Sequence, residues 1–491
     1  MSYSDLLDAI KQNQINVDEK RLQTVYDFAA AAHQGQVRKS GDPYISHPLA
    51  AAEILAGWRQ PQPVLEAALL HDVVEDTSRS LEEIERLFGP EIAFLVGGVT
   101  KIGRVKLRGS TDTVFVENLR KMFVAMARDI RVVLIRLADR LHNMQTLAAV
   151  PLSKQKQIAR ETLEIYSPLA ERLGMGQLKG DLEDLAFPFL YPNEYERLTK
   201  EAETRIRVAE KTTTKAIQSI KELLAANDIT AEVHGRHKRK YSLYRKLNRP
   251  GIDGDWSKIH DLVALRIITA TKRDCYAALG LVHGLWQPAP ALGISDFIAQ
   301  PKPNGYQSIH TKVFDHKGNI IEVQIRTREM HEEAEYGAAA HTHYSAAKET
   351  GASDEKLEKG LAFTVKEKID WIRELANWQK ETESNEDYVN GLKLDALSER
   401  IYVFSPHGDV YDLPKDATPV DFAFAVHSDL GNHIQGAKVN QKIVPLNYQL
   451  KSGDLVEIIK SKGKHLPNRG WLPFVKTSKA RSKITKLNRL S

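Results

Sequence analysis

Apolar residues in the first 195 positions recur at spacings of three and four, the pattern of helices that bury one face. The clearest examples are residues 21–34, 64–76, 113–127 and 132–147. Two prolines interrupt the pattern at 187–192, and a long charged helix is predicted to follow as a connector over 193–227. The first part of the chain is therefore predicted to be all helical.

The pattern then changes to β-branched runs, at 261–269 and 320–327, which are typical of strands. Helical segments lie between and after them, which indicates a mixed α/β domain. After a further helical stretch and a polar linker, a hairpin, a short helix and two more strands (437–446 and 454–460) predict a small β-grasp-like unit. The predicted divisions are a helical domain with its connector (1–195), an α/β domain (196–385), a linker (386–398), the β-grasp unit (399–462) and a basic C-terminal segment (463–491).

Length and composition are those of an ordinary globular protein. The 491 residues allow roughly three domains of ~100–200 residues each. No apolar run approaches the ~20 residues of a membrane span, and the N-terminus lacks a signal-peptide pattern. The single cysteine, Cys275, excludes an intrachain disulfide and a thiolate metal cage. A cytoplasmic location without membrane attachment is predicted.

The net charge of +5 is unevenly distributed. Residues 460–489 contain ten Lys and Arg and no acid, and residues 234–249 contain seven and no acid. Both runs are candidate sites for phosphates or nucleic acid, although a solvated basic face is the alternative.

Histidines and carboxylates in the helical part are spaced for a metal site. His71 and Asp72 are adjacent, and Glu75 and Asp76 each follow one of them by four positions, so they lie one helical turn further on. Asp139 and Asn143 have the same spacing on another helix, and His47 precedes a proline at a predicted helix start. A helix-capping role for His71 and Asp72 is the alternative.

Two imidazoles and two carboxylates suit Mn, Fe or Zn better than Mg or Ca. Such a cation lowers the pKa of a bound water and polarises a phosphorus centre, and Glu75 or Asp76 is positioned to take the proton. Arg38 and Lys39, just before the first ligand, are candidates for contacting a nucleotide. A metal-dependent phosphohydrolase is predicted.

The α/β domain has acids and cations of its own. Asp261 opens one predicted strand and Glu322 lies within another, and phosphoryl or pyrophosphoryl transfer needs a carboxylate for Mg²⁺ and a base. Tyr306, in a glycine-containing loop, is suited to stack on a base. Taken singly, each has a structural alternative: a strand cap, an exposed strand residue or a turn aromatic. Candidate phosphate-binding cations and a hydroxyl lie upstream, at Arg236, Lys238, Ser242 and Lys246.

These residues occur in motifs that resemble the long RelA/SpoT homologues, the ppGpp synthetase/hydrolases of the stringent response. The matching motifs, in family order, are HxGQxRKSGxPYxxHP, HDxxEDT, LADRLHNM, GRxKxxYS, DLxAxR, PKPNGYQSIHT, EVQIRTxxMHxxAExGxAAH and the TGS pattern VFSPHGDVYDLP…ATPVDFAFAVH…GAKVN. The resemblance covers essentially the whole chain. It implies an all-α HD-type hydrolase domain, an α/β nucleotidyltransferase-like synthetase domain and a β-grasp TGS domain.

For the helical domain, the resemblance implies removal of the 3′-pyrophosphate of (p)ppGpp with Mn²⁺. The implied metal ligands are His47, His71, Asp72 and Asp139. Glu75, Asp76 and Asn143 match residues that orient or activate water and substrate, and Arg38 and Lys39 match a nucleotide-contacting pair.

For the α/β domain, the resemblance implies pyrophosphate transfer from ATP to the 3′-hydroxyl of GDP or GTP. Asp261 matches the Mg²⁺ ligand, Glu322 the candidate base and Tyr306 the guanine-stacking residue, and Arg236 and Arg273 resemble the pair that flanks adenine. The implied phosphate and nucleotide contacts are Lys238, Ser242, Lys246, Lys302, Asn304 and His310. In the TGS domain, His427 is expected near the 3′ end of uncharged tRNA on the ribosome.

Two segments depart from the family pattern. Bifunctional members carry Arg-x-Lys-Asp where this chain has Gly293 to Asp296, and Thr342 and Ser345 replace a Trp and a Lys. Losing one transition-state cation costs on the order of a hundredfold in rate, which bears on synthesis and not on hydrolysis. Two alternatives therefore stand beside a bifunctional enzyme: a hydrolase with a weak or inactive synthetase, and a protein that mainly senses tRNA or the ribosome. Longer members continue past the TGS domain into regulatory domains.

Overall fold

The computed structural model describes residues 2–103, 128–236, 238–259, 262–290, 293–302, 305–340, 400–461 and 467–489. The helix predicted at 113–127 and the linker at 386–398 lie outside these residues, as do Asp261, Asn304, Thr342 and Ser345. The described residues belong to two compact units, one up to residue 340 and one from residue 400.

The N-terminal domain is helical, as its apolar spacing predicts, and leucines, valines and alanines on successive helices form its core. One predicted helix, 64–76, is divided at His71 and Asp72, which lie between two shorter helices. The helices are Tyr3–Gln12, Glu19–Ala32, Ser46–Gly57, Gln62–Leu70, Val73–Asp76, Leu81–Phe88, Pro90–Gly103, Ile130–Gln145, Leu152–Glu161, Ser167–Arg172 and Gly176–Leu190, with a π-helical turn at Thr162–Tyr166.

The predicted connector is a single 34-residue helix, Pro192–Ala225. Its second half is part of the next domain, because Ala209, Ala216, Ile220 and Leu224 are buried in the core of the α/β domain. Among the described helices, none is both long and apolar enough to cross a membrane.

The α/β domain is built on a six-stranded sheet. Its strands are β1 (Ala231–Gly235), β2 (Ala264–Thr269), β3 (Gln287–Pro288), β4 (Ser295–Asp296), β5 (Ile309–Phe314) and β6 (Ile320–Thr327), and the domain's shorter helices are Lys240–Leu247, Lys272–Leu285 and Arg328–Tyr336. The strand order is β1-β2-β6-β5-β3, and β4 pairs with β5. Only the β2–β6 pair is parallel among these pairings.

The alternation of side chains along β5 and β6 gives the sheet two different faces. Ile309, Val313, Val323 and Ile325 face one side and are buried in the apolar core with residues of helix Lys272–Leu285. The intervening residues, His310, Lys312, Glu322, Gln324 and Arg326, point to the other side, where the polar chemistry of the domain is therefore collected.

The helical and α/β domains pack against each other around the end of helix Arg328–Tyr336. The Ala338 amide donates a 2.7 Å hydrogen bond to the Leu173 carbonyl, and the side-chain amide of Gln60 donates one of 2.8 Å to the Ala339 carbonyl. Gly337 has a φ of +51°, and a Cβ at this position would overlap the Leu173 carbonyl. Glycine is therefore required here both by the backbone and by the close approach.

The C-terminal unit contains the predicted hairpin, β7 (Arg400–Phe404) and β8 (Val410–Pro414), and the predicted helix, Pro419–Val426. The single strand predicted at 437–446 is instead a second hairpin, because Asn440 and Gln441 have positive φ angles that turn the chain. The remaining elements are β9 (Ile434–Val439), β10 (Lys442–Val444) and β11 (Val456–Lys460), and helices Ser428–Asn432 and Ser478–Arg489.

The basic segment predicted as a separate tail packs on this unit. Val475, Ala480 and Ile484 are fully buried with Val420 and Phe424 of the helix Pro419–Val426. Lys479, Lys483 and Lys486 are exposed, so these basic residues lie on the outer side of a segment whose buried apolar residues complete the core.

Both carboxylate oxygens of buried Asp421 accept hydrogen bonds, and one of them holds the same basic segment in place. One oxygen accepts from the amides of Lys476 and Thr477 and from the Thr477 hydroxyl, and the other accepts from the amide and the hydroxyl of Thr418. Residues 467–489 are thus an integral part of the C-terminal unit.

Candidate functional sites

The predicted metal ligands come from three places in the helical domain and meet at one point. His47 lies in the first turn of helix Ser46–Gly57, His71 and Asp72 lie at the break between two helices, and Asp139 lies within helix Ile130–Gln145. The ligand atoms of His47, His71 and Asp139 are within 4.8 Å of one another. Asp72 adjoins them, with one oxygen 3.1 Å from His71 Nε2 and the other 3.6 Å from His47 Nε2.

His71 is oriented for binding a cation. Its Nδ1 is 2.7 Å from the Ala68 carbonyl, which can only accept, so Nδ1 carries the hydrogen and Nε2 presents a lone pair. Nε2 is buried and makes no hydrogen bond, although one Asp72 oxygen lies 3.1 Å from it. Asp72 makes no capping hydrogen bond through its side chain, which counts against the helix-cap alternative. An unpartnered imidazole nitrogen among carboxylates fits a divalent cation.

Asp139 is held as an anion. Burial acts to raise the pKa of its carboxyl, but the Arg136 guanidinium, at 2.9 Å, and His47 outweigh this and hold the pKa well below its usual range. The Asn143 amide also donates to Asp139, and Arg38 donates a 2.9 Å hydrogen bond to the Asn143 oxygen. The predicted nucleotide-contacting residue Arg38 is thus linked to the metal-site carboxylate through Asn143.

Glu75 and Asp76, the two acids predicted to accept a proton from the water, have different surroundings. Burial raises the pKa of Glu75 to about 7, although the Arg136 charge opposes the shift. Asp76 accepts a 2.7 Å hydrogen bond from the Tyr44 hydroxyl, which also lies 3.1 Å from Asp72. Tyr44 was not among the predicted site residues, although it stands in the PYxxHP motif, three positions before His47. Lys39 is exposed on the loop next to Arg38.

The polar face of the sheet lines a cavity of about 820 Å³ between the α/β domain and the end of the helical domain. Arg236, Lys238 and Tyr306, all predicted site residues, line it. So do Arg266, Gln324, Arg326 and Glu335, which were not predicted. The cavity is rich in cations, as a site for phosphate groups must be.

Glu322 and Tyr306 are connected through His310. The Tyr306 hydroxyl is 2.8 Å from His310 Nε2, and His310 Nδ1 is 3.6 Å from Glu322. Burial, with the charges of Lys302 and Arg236, lowers the pKa of His310 to about 3.

Lys302 lies near two aromatic rings, with its Nζ 4.5 Å from the ring centre of Phe297 and 5.1 Å from that of Tyr306. Burial lowers the pKa of Lys302. Lys302, Tyr306 and His310 are therefore packed into one cluster, in which His310 adjoins Glu322.

Other predicted residues lie elsewhere. Ser242 and Lys246 are partly buried on helix Lys240–Leu247 and do not line the cavity. Arg273 is exposed in the first turn of helix Lys272–Leu285, whereas Arg266, the arginine of the DLxAxR motif, faces the cavity. His427 is exposed between two helices of the C-terminal unit, where its Nδ1 accepts from the Asp429 amide. Asp261 and Asn304 lie outside the described residues.

Sequence comparison relates three parts of the chain to known protein families. Models of three families match: the HD domain over residues 26–176, the region found in RelA / SpoT proteins over 235–349, and the TGS domain over 401–460.

Among the relatives, a GTP pyrophosphokinase of Myxococcus xanthus is 46% identical over 94% of this chain and 59% of its own length. The bifunctional (p)ppGpp synthase/hydrolase RelA of Mycobacterium tuberculosis is 45% identical over 94% of this chain and 62% of its own. A guanosine-3′,5′-bis(diphosphate) 3′-pyrophosphohydrolase of Aquifex aeolicus is 44% identical over 95% and 64%. The chain thus spans less than two thirds of the length of these relatives.

Proposed function

We propose that the chain, which matches the HD domain, the region found in RelA / SpoT proteins and the TGS domain, is a RelA/SpoT-type enzyme that acts on guanosine tetraphosphate and pentaphosphate in both directions. The helical domain hydrolyses the 3′-pyrophosphate of (p)ppGpp to give GDP or GTP. The α/β domain transfers pyrophosphate from ATP to the 3′-hydroxyl of GDP or GTP. The observation that carries the hydrolase half is the unpartnered, buried Nε2 of His71 among His47, Asp72 and Asp139.

These four residues would hold a divalent cation, for which we propose Mn²⁺ because the set mixes nitrogen and oxygen ligands. When bound, the cation lowers the pKa of a water and polarises the phosphorus centre. Glu75 is the proposed base, since a pKa near 7 matches proton transfer at neutral pH. Asp76, held by Tyr44, orients the water, and Arg38 and Lys39 bind the nucleotide.

On the polar face of the sheet, Glu322 is the proposed base for the 3′-hydroxyl, and His310 orients it in the neutral form. Tyr306 stacks on guanine. We propose that Arg266 takes the place expected of Arg273 beside adenine, with Arg236 on the other side, because both line the cavity. Asp261 would bind Mg²⁺, and Lys238, Ser242, Lys246, Lys302 and Asn304 remain proposed nucleotide contacts.

The hydrolase half is tested by removing and restoring metals. Chelation should abolish release of pyrophosphate from ppGpp, and Mn²⁺ should restore it better than Mg²⁺. Asp72→Ala should remove the activity, while Asp8→Ala, on an exposed position of the first helix, should leave it intact. Equal rescue by Mg²⁺ would contradict an imidazole-containing site.

The synthetase half is tested in the Asp72→Ala chain, in which the product is not degraded. Incubation with ATP, GDP and Mg²⁺ should yield tetraphosphate, and Glu322→Gln should prevent it. If the Asp72→Ala chain makes no tetraphosphate, the protein is a hydrolase with an inactive synthetase.

For partners, we propose uncharged tRNA and the ribosome, supported by the TGS domain match and by the basic residues of helix Ser478–Arg489. His427 is exposed and thus available to tRNA. Nucleotide substrates and a single buried cysteine support a cytoplasmic location. Filter binding of deacylated and aminoacylated tRNA to the wild-type chain and to His427→Ala tests the tRNA contact.

A further inference from the structure

The two ring nitrogens of His47 face different neighbours. Nε2 points into the metal site, 3.1 Å from Asp139 and 3.6 Å from Asp72. Nδ1 points away from it and lies 2.7 Å from Nδ1 of His142. The two rings are buried, with exposed fractions of 3% and 8%, so the imidazole pair is largely shielded from bulk water.

His71 illustrates how an acceptor on one ring nitrogen frees the other nitrogen to bind a cation. The Ala68 carbonyl accepts from its Nδ1 and thereby leaves the Nε2 lone pair for a cation. The partner of His47 Nδ1 is instead a second imidazole, which can either donate or accept depending on its tautomer. In the part of the chain that the structure describes, the hydrogen-bond partner of His47 Nδ1 is His142 and not a backbone carbonyl, so no fixed acceptor imposes a tautomer as Ala68 does on His71.

We propose that His142 is the positioning residue that holds His47 in the tautomer able to bind the cation through Nε2. With a cation on Nε2, the hydrogen of neutral His47 must be on Nδ1. His142 then presents the Nδ1 lone pair as the acceptor and carries its own hydrogen on Nε2. This inference rests on the proposed metal site of the hydrolase and adds to it the partner that orients one ligand.

A purely structural role for His142 predicts a different response to substitution. If the ring only fills space in helix Ile130–Gln145, leucine should replace it better than asparagine, because leucine is apolar and of similar bulk. If the ring acts as an acceptor, asparagine should replace it better, because its Oδ1 stands close to the place of the imidazole Nδ1. The two roles therefore rank the variants in opposite orders.

The experiment measures the dissociation constant of Mn²⁺ by the electron paramagnetic resonance signal of the free ion. His142→Leu should weaken binding by about 10- to 100-fold, whereas His142→Asn should stay within about threefold of the wild type. Gln145→Leu, an exposed position one turn further along the helix, controls for substitution as such. Wild-type affinity in His142→Leu, or equal losses in both His142 variants, would overturn the inference.

Nitrogen-15 spectra of histidine-labelled protein loaded with diamagnetic Zn²⁺ give a second readout. The expected pattern is His47 with its hydrogen on Nδ1 and His142 with its hydrogen on Nε2. A hydrogen on Nδ1 of His142 would overturn the inference while leaving the metal site intact. A wild-type chain that binds neither Mn²⁺ nor Zn²⁺ would overturn the proposed hydrolase function itself.

Discussion

Glu335 lies 2.8 Å from the guanidinium of Arg326, whose side chain is only 2% exposed beneath the cavity of the α/β domain. The same carboxylate oxygen is 3.0 Å from Arg266. Burial, together with the charge of Arg326, lowers the pKa of Arg266 to about 10, and Glu335 opposes this shift. One carboxylate thus compensates the buried Arg326 and its partly buried neighbour Arg266.

We therefore expect Glu335→Gln to lower the free energy of unfolding by about 3 kcal/mol, because it leaves buried guanidinium groups without a counter-charge. Urea denaturation of the substrate-free chain measures the change. Glu329→Gln, which removes an exposed carboxylate from the same helix, is the matched control and should have little effect. Similar stabilities of the two variants would show that Glu335 is not needed to hold the arginines.

Alanine substitutions at Gly337 and Gly318 distinguish the energetic cost of backbone strain from that of steric overlap between domains. Both have positive φ angles, but a Cβ at Gly318 would meet nothing within 4 Å, whereas one at Gly337 would overlap the Leu173 carbonyl. Gly318→Ala should cost about 1 kcal/mol and Gly337→Ala about 3 kcal/mol of unfolding free energy. Equal costs in thermal or urea unfolding would mean that the domains separate readily at this contact.

Ser295 stands in the segment where the family pattern has a lysine. It pairs with His310 across strands β4 and β5, so a longer side chain here would extend on the same face as His310. In the Asp72→Ala chain, Ser295→Lys should raise the rate of tetraphosphate synthesis by about tenfold, because it adds a cation near the transferred group.

Gly293 is a poor site for the companion arginine, since its φ is +63°. Thr214→Lys, on the exposed side of helix Pro192–Ala225, adds the same charge elsewhere and serves as the control. An equal rate in the Ser295→Lys chain and its parent would show that the missing cation does not limit synthesis.

Asp421→Ala should release the basic segment from the C-terminal unit. The substitution leaves the buried donors of Thr418 and Thr477 unsatisfied, at a cost of about 3 kcal/mol. Trypsin should then cleave within helix Ser478–Arg489 much faster than in the wild type. Asp429→Ala, with a side chain 61% exposed, is the control, and unchanged cleavage of the Asp421 variant would contradict the proposed fastening.

His310 should make stability depend on pH. Its pKa is about 3 in the folded chain against an ordinary 6.5, so the unfolded chain binds more protons between these values. Stability should fall as the pH is lowered through about 6.5, and less so in His310→Asn. Unfolding at pH 7 and pH 5 measures the difference, with exposed His316→Asn as the control. Parallel losses in all three chains would exclude His310 as the cause.

The features that depend on local spacing could be predicted from the sequence alone. Apolar periodicity predicts the helical domain, because burial of one helical face imposes that period on any sequence. Runs of β-branched residues predict the strands β2 and β6, because such side chains pack well on a pleated sheet. The adjacency of His71 and Asp72 keeps the two residues close together in any fold, and the four-residue spacing places Asp139 and Asn143 on one side of a helix, so the metal cluster could be predicted from them. Its assignment to particular residues stays a prediction.

Which side chains from distant segments come into contact depends on how the elements pack, and the local sequence does not reveal it. Arg266 faces the cavity and Arg273 does not, because the pairing of β2 with β6 sets the direction of the first, while the second lies on an exposed helical turn. The docking of residues 467–489 depends on the core around Phe424, which no charge pattern reveals. His142 and His47 are 95 positions apart, and only the packing of their two helices brings the imidazoles within hydrogen-bond distance.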